Sequence, residues 1–260
     1  MSKHIPRKRF GQHFLTDHDV INAIVHAIRP RSGDTVVEIG PGLGALTRPL
    51  LEHLPHLHLV ELDRDIIARL QRAYPSERVT IHAGDALLFE FGTLGENLRI
   101  VGNLPYNIST PLLFHLADFA PHIADMHFML QKEVVDRMAA DPGTRDFGRL
   151  TVMLQYRFSI ETLFDVAADA FDPPPKVVSA VVRLVPRAAS DMDALDLGLL
   201  ENVVATAFGQ RRKTLRNTLG SLLSADDFNQ LDIDPTRRAE TLAVADFVRI
   251  ANHIYRKEAP

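Results

Sequence analysis

The chain of 260 residues has no cysteine. Disulfides, thiolate metal sites and cysteine nucleophiles are thereby excluded, and the composition suits a reducing compartment, so a cytoplasmic location is expected. Long apolar runs are missing too: none approaches the ~18–20 residues that a membrane span needs. The opening segment MSKHIPRKRFGQHF carries basic residues with no apolar core behind them, so no secretory signal is expected. The 12 histidines show no metal-ligand spacing such as His-Glu-x-x-His, and no metal is predicted. Internal repeats and low-complexity tracts are lacking as well. With 46% hydrophobic and 24% charged residues, the chain is a poor candidate for disorder, a collagen-like repeat or a coiled-coil rod. At about 100–200 residues per domain, its length allows one large domain, or one with a small appendage.

A global excess of positive charge is also missing, the formal net charge being −4. Basicity is local instead. Lys3, Arg7, Lys8 and Arg9 precede the first acid, Asp17, and Arg211, Arg212, Lys213 and Arg216 lie in an acid-free stretch. A polyanion responds to such clusters rather than to the total, because ion pairing and counterion release act at short range. These eight residues are the candidates for holding a polyanion.

From about residue 35 to 132, short apolar runs alternate with helix-like segments. The runs are TVVEIG (35–40), LHLVEL (57–62), VTIHAG (79–84), LRIVGN (98–103) and MHFMLQ (126–131). Such alternation predicts a parallel sheet covered by helices on both faces, an α/β fold of the Rossmann-like kind. Two further runs, 158–166 and 177–185, read as hairpin-like strands separated by Asp172-Pro173-Pro174-Pro175 and closing one sheet edge. Beyond Pro186 the pattern changes to the spacing of amphipathic helices, as in 195–209 and 244–255. The expected organisation is an N-terminal arm and catalytic domain over 1–186 and a small all-helical domain over 187–260.

The first predicted strand runs into Glu38-Ile39-Gly40-Pro41-Gly42-Leu43-Gly44. Glycines there let the backbone turn tightly and approach a ligand closely, which points to a nucleotide-like molecule. The second strand ends at Glu61, at the spacing where an acid accepts hydrogen bonds from ribose hydroxyls. The third leads to Asp85, whose carboxylate can accept from an adenine amine. The loop also satisfies the dinucleotide fingerprint through Gly40, Gly42 and Ala45, so alone it does not separate a nicotinamide enzyme from an S-adenosylmethionine enzyme.

The fourth strand ends in Asn103-Leu104-Pro105-Tyr106, which resembles the tetrapeptide of methyltransferases acting on base amino groups. An exocyclic adenine nitrogen is a poor nucleophile because its lone pair is delocalised into the ring. Acceptors at the Asn103 side-chain oxygen and the Leu104 carbonyl, held by the rigid Pro105, would favour the more tetrahedral state at nitrogen. Tyr106 would stack on the base and hold it near the methyl.

The segments GQHFL (11–15), EIGPGLGALT (38–47), GDAL (84–87), NLPYNIS (103–109), QKEV (131–134), FGRLTVMLQ (147–155), PPPKVVSAVV (173–182) and AFGQRRKTLRN (207–217) together resemble the small-subunit ribosomal RNA adenine N6,N6-dimethyltransferases of the KsgA type. The resemblance runs through essentially the whole chain, in order. It implies methyl transfer from S-adenosylmethionine to N6 of two adjacent adenosines in the 3′-terminal hairpin loop of 16S rRNA, two methyls on each, during small-subunit biogenesis. It further implies that His13, Leu15, Gly40, Gly42, Glu61, Asp85 and Asn103 touch the cofactor. The family commonly reads Gly-Gln-Asn-Phe-Leu at the arm, and this chain has His13 in place of that Asn. Phe171 occupies the position of an aromatic that packs on the flipped base opposite Tyr106. The implied partners are 16S rRNA and the small-subunit precursor, with no membrane, and the chain is expected to be a monomer. Competing readings are a large-subunit adenine methylase of the antibiotic-resistance type, a nicotinamide oxidoreductase, and an assembly factor whose methylation is incidental.

Overall fold

The computed structural model describes residues 13–258; Lys3, Arg7, Lys8 and Arg9 therefore lie outside the described residues. Contacts divide the chain into two units. The first runs up to Val135 and includes Ile160–Pro186; the second comprises Asp136–Ser159 and everything from Arg187 onward.

In the first unit, β1 (Phe14–Leu15) is followed by α1 (His18–Ile28), β2 (Thr35–Ile39), α2 (Thr47–His53), β3 (Leu57–Glu61), α3 (Arg64–Ala73), β4 (Val79–Ala83), β5 (Leu98–Asn103), α4 (Ser109–Asp118) and β6 (Ile123–Gln131). Helix α5 (Lys132–Met138), β7 (Phe158–Val166), β8 (Phe171–Asp172) and β9 (Ser179–Pro186) complete the elements up to Pro186, apart from α6. Seven strands form one sheet in the order β4-β3-β2-β5-β6-β9-β7. Pairings β2–β3, β3–β4, β2–β5 and β5–β6 are parallel, and β6–β9 is antiparallel. The apolar runs thus become the five parallel strands, and the two later runs lie together at one end of the sheet, with β9 inside and β7 outermost.

Continuous burial of Val36, Val37, Glu38 and Ile39 marks β2 as a central strand covered on both faces. Helix α1 begins where the Asp17 carboxylate accepts the N–H groups of Asp19 and Val20, and it buries Ile21, Ile24, Val25 and Ile28 at helical spacing. At the amino end of the sheet, Arg99 of β5 pairs with Asp34 at 2.7 Å and with Asp125 at 2.8 Å, tying three segments away from the site.

The second unit contains α6 (Arg149–Arg157), α7 (Leu197–Phe208), α8 (Leu215–Leu219), α9 (Ala225–Gln230) and α10 (Val244–Glu258). Leu200, Val203, Val204 and Ala207 of α7 and Phe247, Val248, Ile250, Ala251 and Ile254 of α10 form the buried stripes that the sequence spacing predicts. Residues 136–159, which run into the start of β7 and precede β9 in the chain, group with these helices.

Candidate active site

The chain proceeds outward from β2 to β3 and β4, then returns to place β5 on the other flank of β2. At such a reversal the segments leaving adjacent strands diverge, and a crevice opens beyond the carboxyl ends. Backbone bonds hold the tips in register: Gly40 N–H donates to Val60 O and Gly84 N–H to Glu61 O, each at 2.9 Å. A cavity of about 980 Å³ opens there. His13, Leu15, Gly40, Gly42, Glu61, Asp85, Asn103, Leu104, Pro105 and Tyr106 all line it.

Gly40 and Gly42 have φ of +65° and +54°, a region that side chains strain to enter. A Cβ on Gly42 would come within 3.3 Å of the Phe14 ring, so this glycine also lets the arm close over the loop. The Glu61 carboxylate is fixed by backbone donors: the N–H groups of Leu62 and Asp63 reach Oε1 at 2.8 Å, and Gly42 N–H donates as well. Burial pushes its pKa up, while those donors pull in the opposite direction. Asp85 Oδ1 accepts Leu87 N–H at 3.0 Å, which orients the carboxylate in its turn.

At the tip of β5, Leu104 is 1% exposed and its N–H donates to Met129 O. The Pro105 carbonyl takes the Ile108 N–H and the Ser109 hydroxyl, locking the turn. Asn103 Nδ2 donates to His13 O at 3.2 Å, which commits the amide nitrogen to the arm and leaves Oδ1 as the acceptor. The His13 ring lies 6.1 Å from that of Tyr106 at an interplanar angle of 23°, and its Nδ1 bonds Pro173 O at 2.7 Å. His13 therefore links the arm, the β5 tip and the proline loop, with Nε2 as its remaining ring nitrogen.

Phe171 is placed differently from the expectation. It is 3% exposed, pairs with Leu15 across β8 and β1, and packs in the core with Leu15, Met129 and Val181 rather than lining the cavity. Its ring is buried among apolar side chains. Glu38 was not singled out from sequence. It lines the cavity, is 2% exposed, and receives the Thr47 hydroxyl at 2.6 Å. Burial lifts its pKa from 4.5 to about 7, the Thr47 hydrogen bond offsets part of that, and nearby Glu61 adds to it. The only sequence signal was an acid inside an otherwise apolar strand.

In the second unit, Arg211, Arg212, Lys213 and Arg216 are all exposed. Arg211 donates to Arg145 O and lies 3.6 Å from Glu240, so this one guanidinium also braces its own unit. No helix is long and apolar enough to cross a membrane, and no group of three or more His, Asp or Glu is placed to hold a metal ion, among the described residues.

The model of the ribosomal RNA adenine dimethylase family matches residues 3–256. The chain belongs to that family. Ribosomal RNA small subunit methyltransferase A of Thiobacillus denitrificans is 67% identical over 251 residues, 96% of this chain and 98% of the relative. The enzyme of the same name from Aromatoleum aromaticum is 64% identical over 257 residues, 99% of this chain and 97% of the relative. Among solved structures, a dimethyladenosine transferase from Plasmodium falciparum superposes with a TM-score of 0.83 at 25% identity, covering 94% of this chain and 98% of its own. The 23S rRNA methyltransferase ErmE shares the fold, with a TM-score of 0.75 at 24% identity over 93% of this chain and 99% of its own. Membership decides between the two enzyme classes that the glycine loop allows: the family's chemistry is methylation of adenine in ribosomal RNA.

Proposed function

We propose that this chain transfers methyl groups from S-adenosylmethionine to N6 of two adjacent adenosines in the 3′-terminal hairpin loop of 16S rRNA, dimethylating each, in the cytoplasm and as a monomer during small-subunit biogenesis. The observation that carries this reading is the convergence of Gly40, Glu61, Asp85 and Asn103 on one cavity, with the Leu104 backbone and the Tyr106 ring at its rim. The names of the close relatives support the small subunit over the large as the target.

The residues fit the donor. Glu61, immobilised by three backbone N–H groups, accepts from a pair of ribose hydroxyls, and Asp85 accepts from an adenine amine. S-adenosylmethionine supplies a methyl on a sulfonium, which needs no metal to become electrophilic. The task of the chain is to make N6 a better nucleophile and to hold it in line. Asn103 Oδ1 and the Leu104 carbonyl would accept the N6 hydrogens, two before the first transfer and the one that remains before the second, favouring tetrahedral nitrogen as the N–C bond forms and the C–S bond breaks. The surplus proton leaves to water. The Tyr106 face holds the extruded base, offsetting the few kcal/mol of stacking lost when it leaves the loop. The exposed basic residues Arg211, Arg212, Lys213 and Arg216 hold RNA phosphates, as do Lys3, Arg7, Lys8 and Arg9.

Labelled methyl transfer tests the reading. Undermethylated small subunits should accept methyl groups and large-subunit RNA should not, while a fluorescence titration with NADH should show no binding. Methylation confined to large-subunit RNA would overturn the choice of target. NADH binding without methyl transfer would overturn the reaction class.

A further inference from the structure

Tyr106 is held at both ends. Its backbone sits in the turn locked by Leu104 and Pro105, and its hydroxyl lies 2.8 Å from Ser179 Oγ. Ser179 opens β9 opposite Gln131 of β6 and is completely buried. It is a polar residue at the head of a strand whose next members, Ala180, Val181 and Val182, are all apolar and at most 1% exposed. A buried hydroxyl left without a partner is costly, and Tyr106 supplies that partner. Burial also pushes the Tyr106 phenol pKa up, so the hydroxyl stays neutral and remains able to donate.

The geometry has a consequence for the ring. Backbone anchoring fixes where the Tyr106 Cα lies but leaves two side-chain torsions, and stacking on a base depends on the plane those torsions set. A hydrogen bond at the far end of the ring removes that freedom before any base arrives, which is preorganisation. We propose that Ser179 is a positioning residue: by pinning the Tyr106 hydroxyl to β9 it sets the plane of the ring on which the target adenine stacks. The inference rests on the reading of Tyr106 as the base-stacking residue given above.

The test uses the full chain with Ser179→Ala, Ser179→Thr, Tyr106→Phe, the Ser179→Ala/Tyr106→Phe double variant and Tyr106→Ala. Thermal unfolding checks the fold, calorimetry gives S-adenosylmethionine affinity, and methyl transfer to undermethylated small subunits gives kcat and KM separately. Loss of one neutral hydrogen bond should lower kcat for Ser179→Ala by roughly 3–10-fold while leaving S-adenosylmethionine affinity within about twofold of the parent. Tyr106→Phe should lose the same factor, and the double variant no more than either single one, because all three lack one shared bond. Ser179→Thr keeps the hydroxyl and should restore most of the rate. Parental kcat in a folded Ser179→Ala, or losses that multiply in the double variant, would overturn the proposal. Should Ser179→Ala fail to fold, Tyr106→Phe alone decides: parental kcat there overturns it equally. Full activity in Tyr106→Ala would instead refute the stacking role of Tyr106, whereas an inactive Tyr106→Ala beside a fully active Ser179→Ala would refute only the role of Ser179.

Discussion

Glu38 offers a sharp test of the electrostatics under the glycine loop. Its carboxyl ionises near pH 7 in the folded chain, against an ordinary value of 4.5, because burial disfavours the charge, with Glu61 adding and the Thr47 hydroxyl subtracting. Below pH 4.5 both folded and unfolded chains hold the proton and the carboxyl has no effect on stability. Between 4.5 and 7 the folded chain keeps a proton that the unfolded chain has released, so raising the pH favours unfolding. Above 7 both are ionised and the whole cost is present. At 1.36 kcal/mol per pKa unit, that gap corresponds to about 3 kcal/mol. Glutamine has nearly the same volume, keeps an acceptor for Thr47 and cannot ionise. Glu38→Gln should therefore be more stable than the parent by about 3 kcal/mol at pH 8.5 and equal to it near pH 4. Urea unfolding of both proteins across that range measures the difference. A gap that does not change with pH, or a variant less stable at pH 8.5, would refute the reasoning.

Three other outcomes follow from the same geometry. Asn103→Ala removes an acceptor aimed at the developing charge, so kcat should fall by roughly 10²–10³, a larger factor than the loss of S-adenosylmethionine affinity from its cofactor contact, as separate rate and calorimetric measurements will show. Reversing the charges of Arg211, Arg212 and Lys213 should weaken binding to small-subunit particles and flatten its dependence on salt; an unchanged salt titration would remove these residues from the RNA surface. Phe171→Leu should cost about 1 kcal/mol of stability through lost core volume and leave kcat nearly intact, whereas a large loss of kcat at unchanged stability would return Phe171 to the base pocket.

Much of this architecture was legible before any coordinates. The parallel strands read clearly because each contains a short apolar run between helix-like segments, and the motif residues read clearly because each lies at or just beyond the carboxyl end of such a run. The glycine loop, Glu61, Asp85 and Asn103 could be assigned to one sheet edge from chain order alone. What escaped depends on pairings distant in sequence. The two-residue strands β1 and β8 carry no periodicity, so the contact between Leu15 and Phe171 that buries the Phe171 ring leaves no local trace. The assignment of residues 136–159 to the helical unit is likewise a matter of which apolar faces meet, not of any composition shift. The ionisation of Glu38 and the bond between Tyr106 and Ser179 arise from burial and from residues 73 positions apart. A linear reading of residue types carries neither.

The tips of β2 to β5 present the N6 amino groups of two neighbouring adenosines to a methyl donor. Mass mapping of undermethylated small subunits after reaction with this chain and S-adenosylmethionine tests it most directly. N6,N6-dimethyladenosine at two adjacent positions of the 3′-terminal hairpin loop of 16S rRNA, absent when Asn103→Ala replaces the parent, is the predicted result. Methyl groups elsewhere in the RNA, or on ring nitrogens or ribose instead of N6, would contradict it.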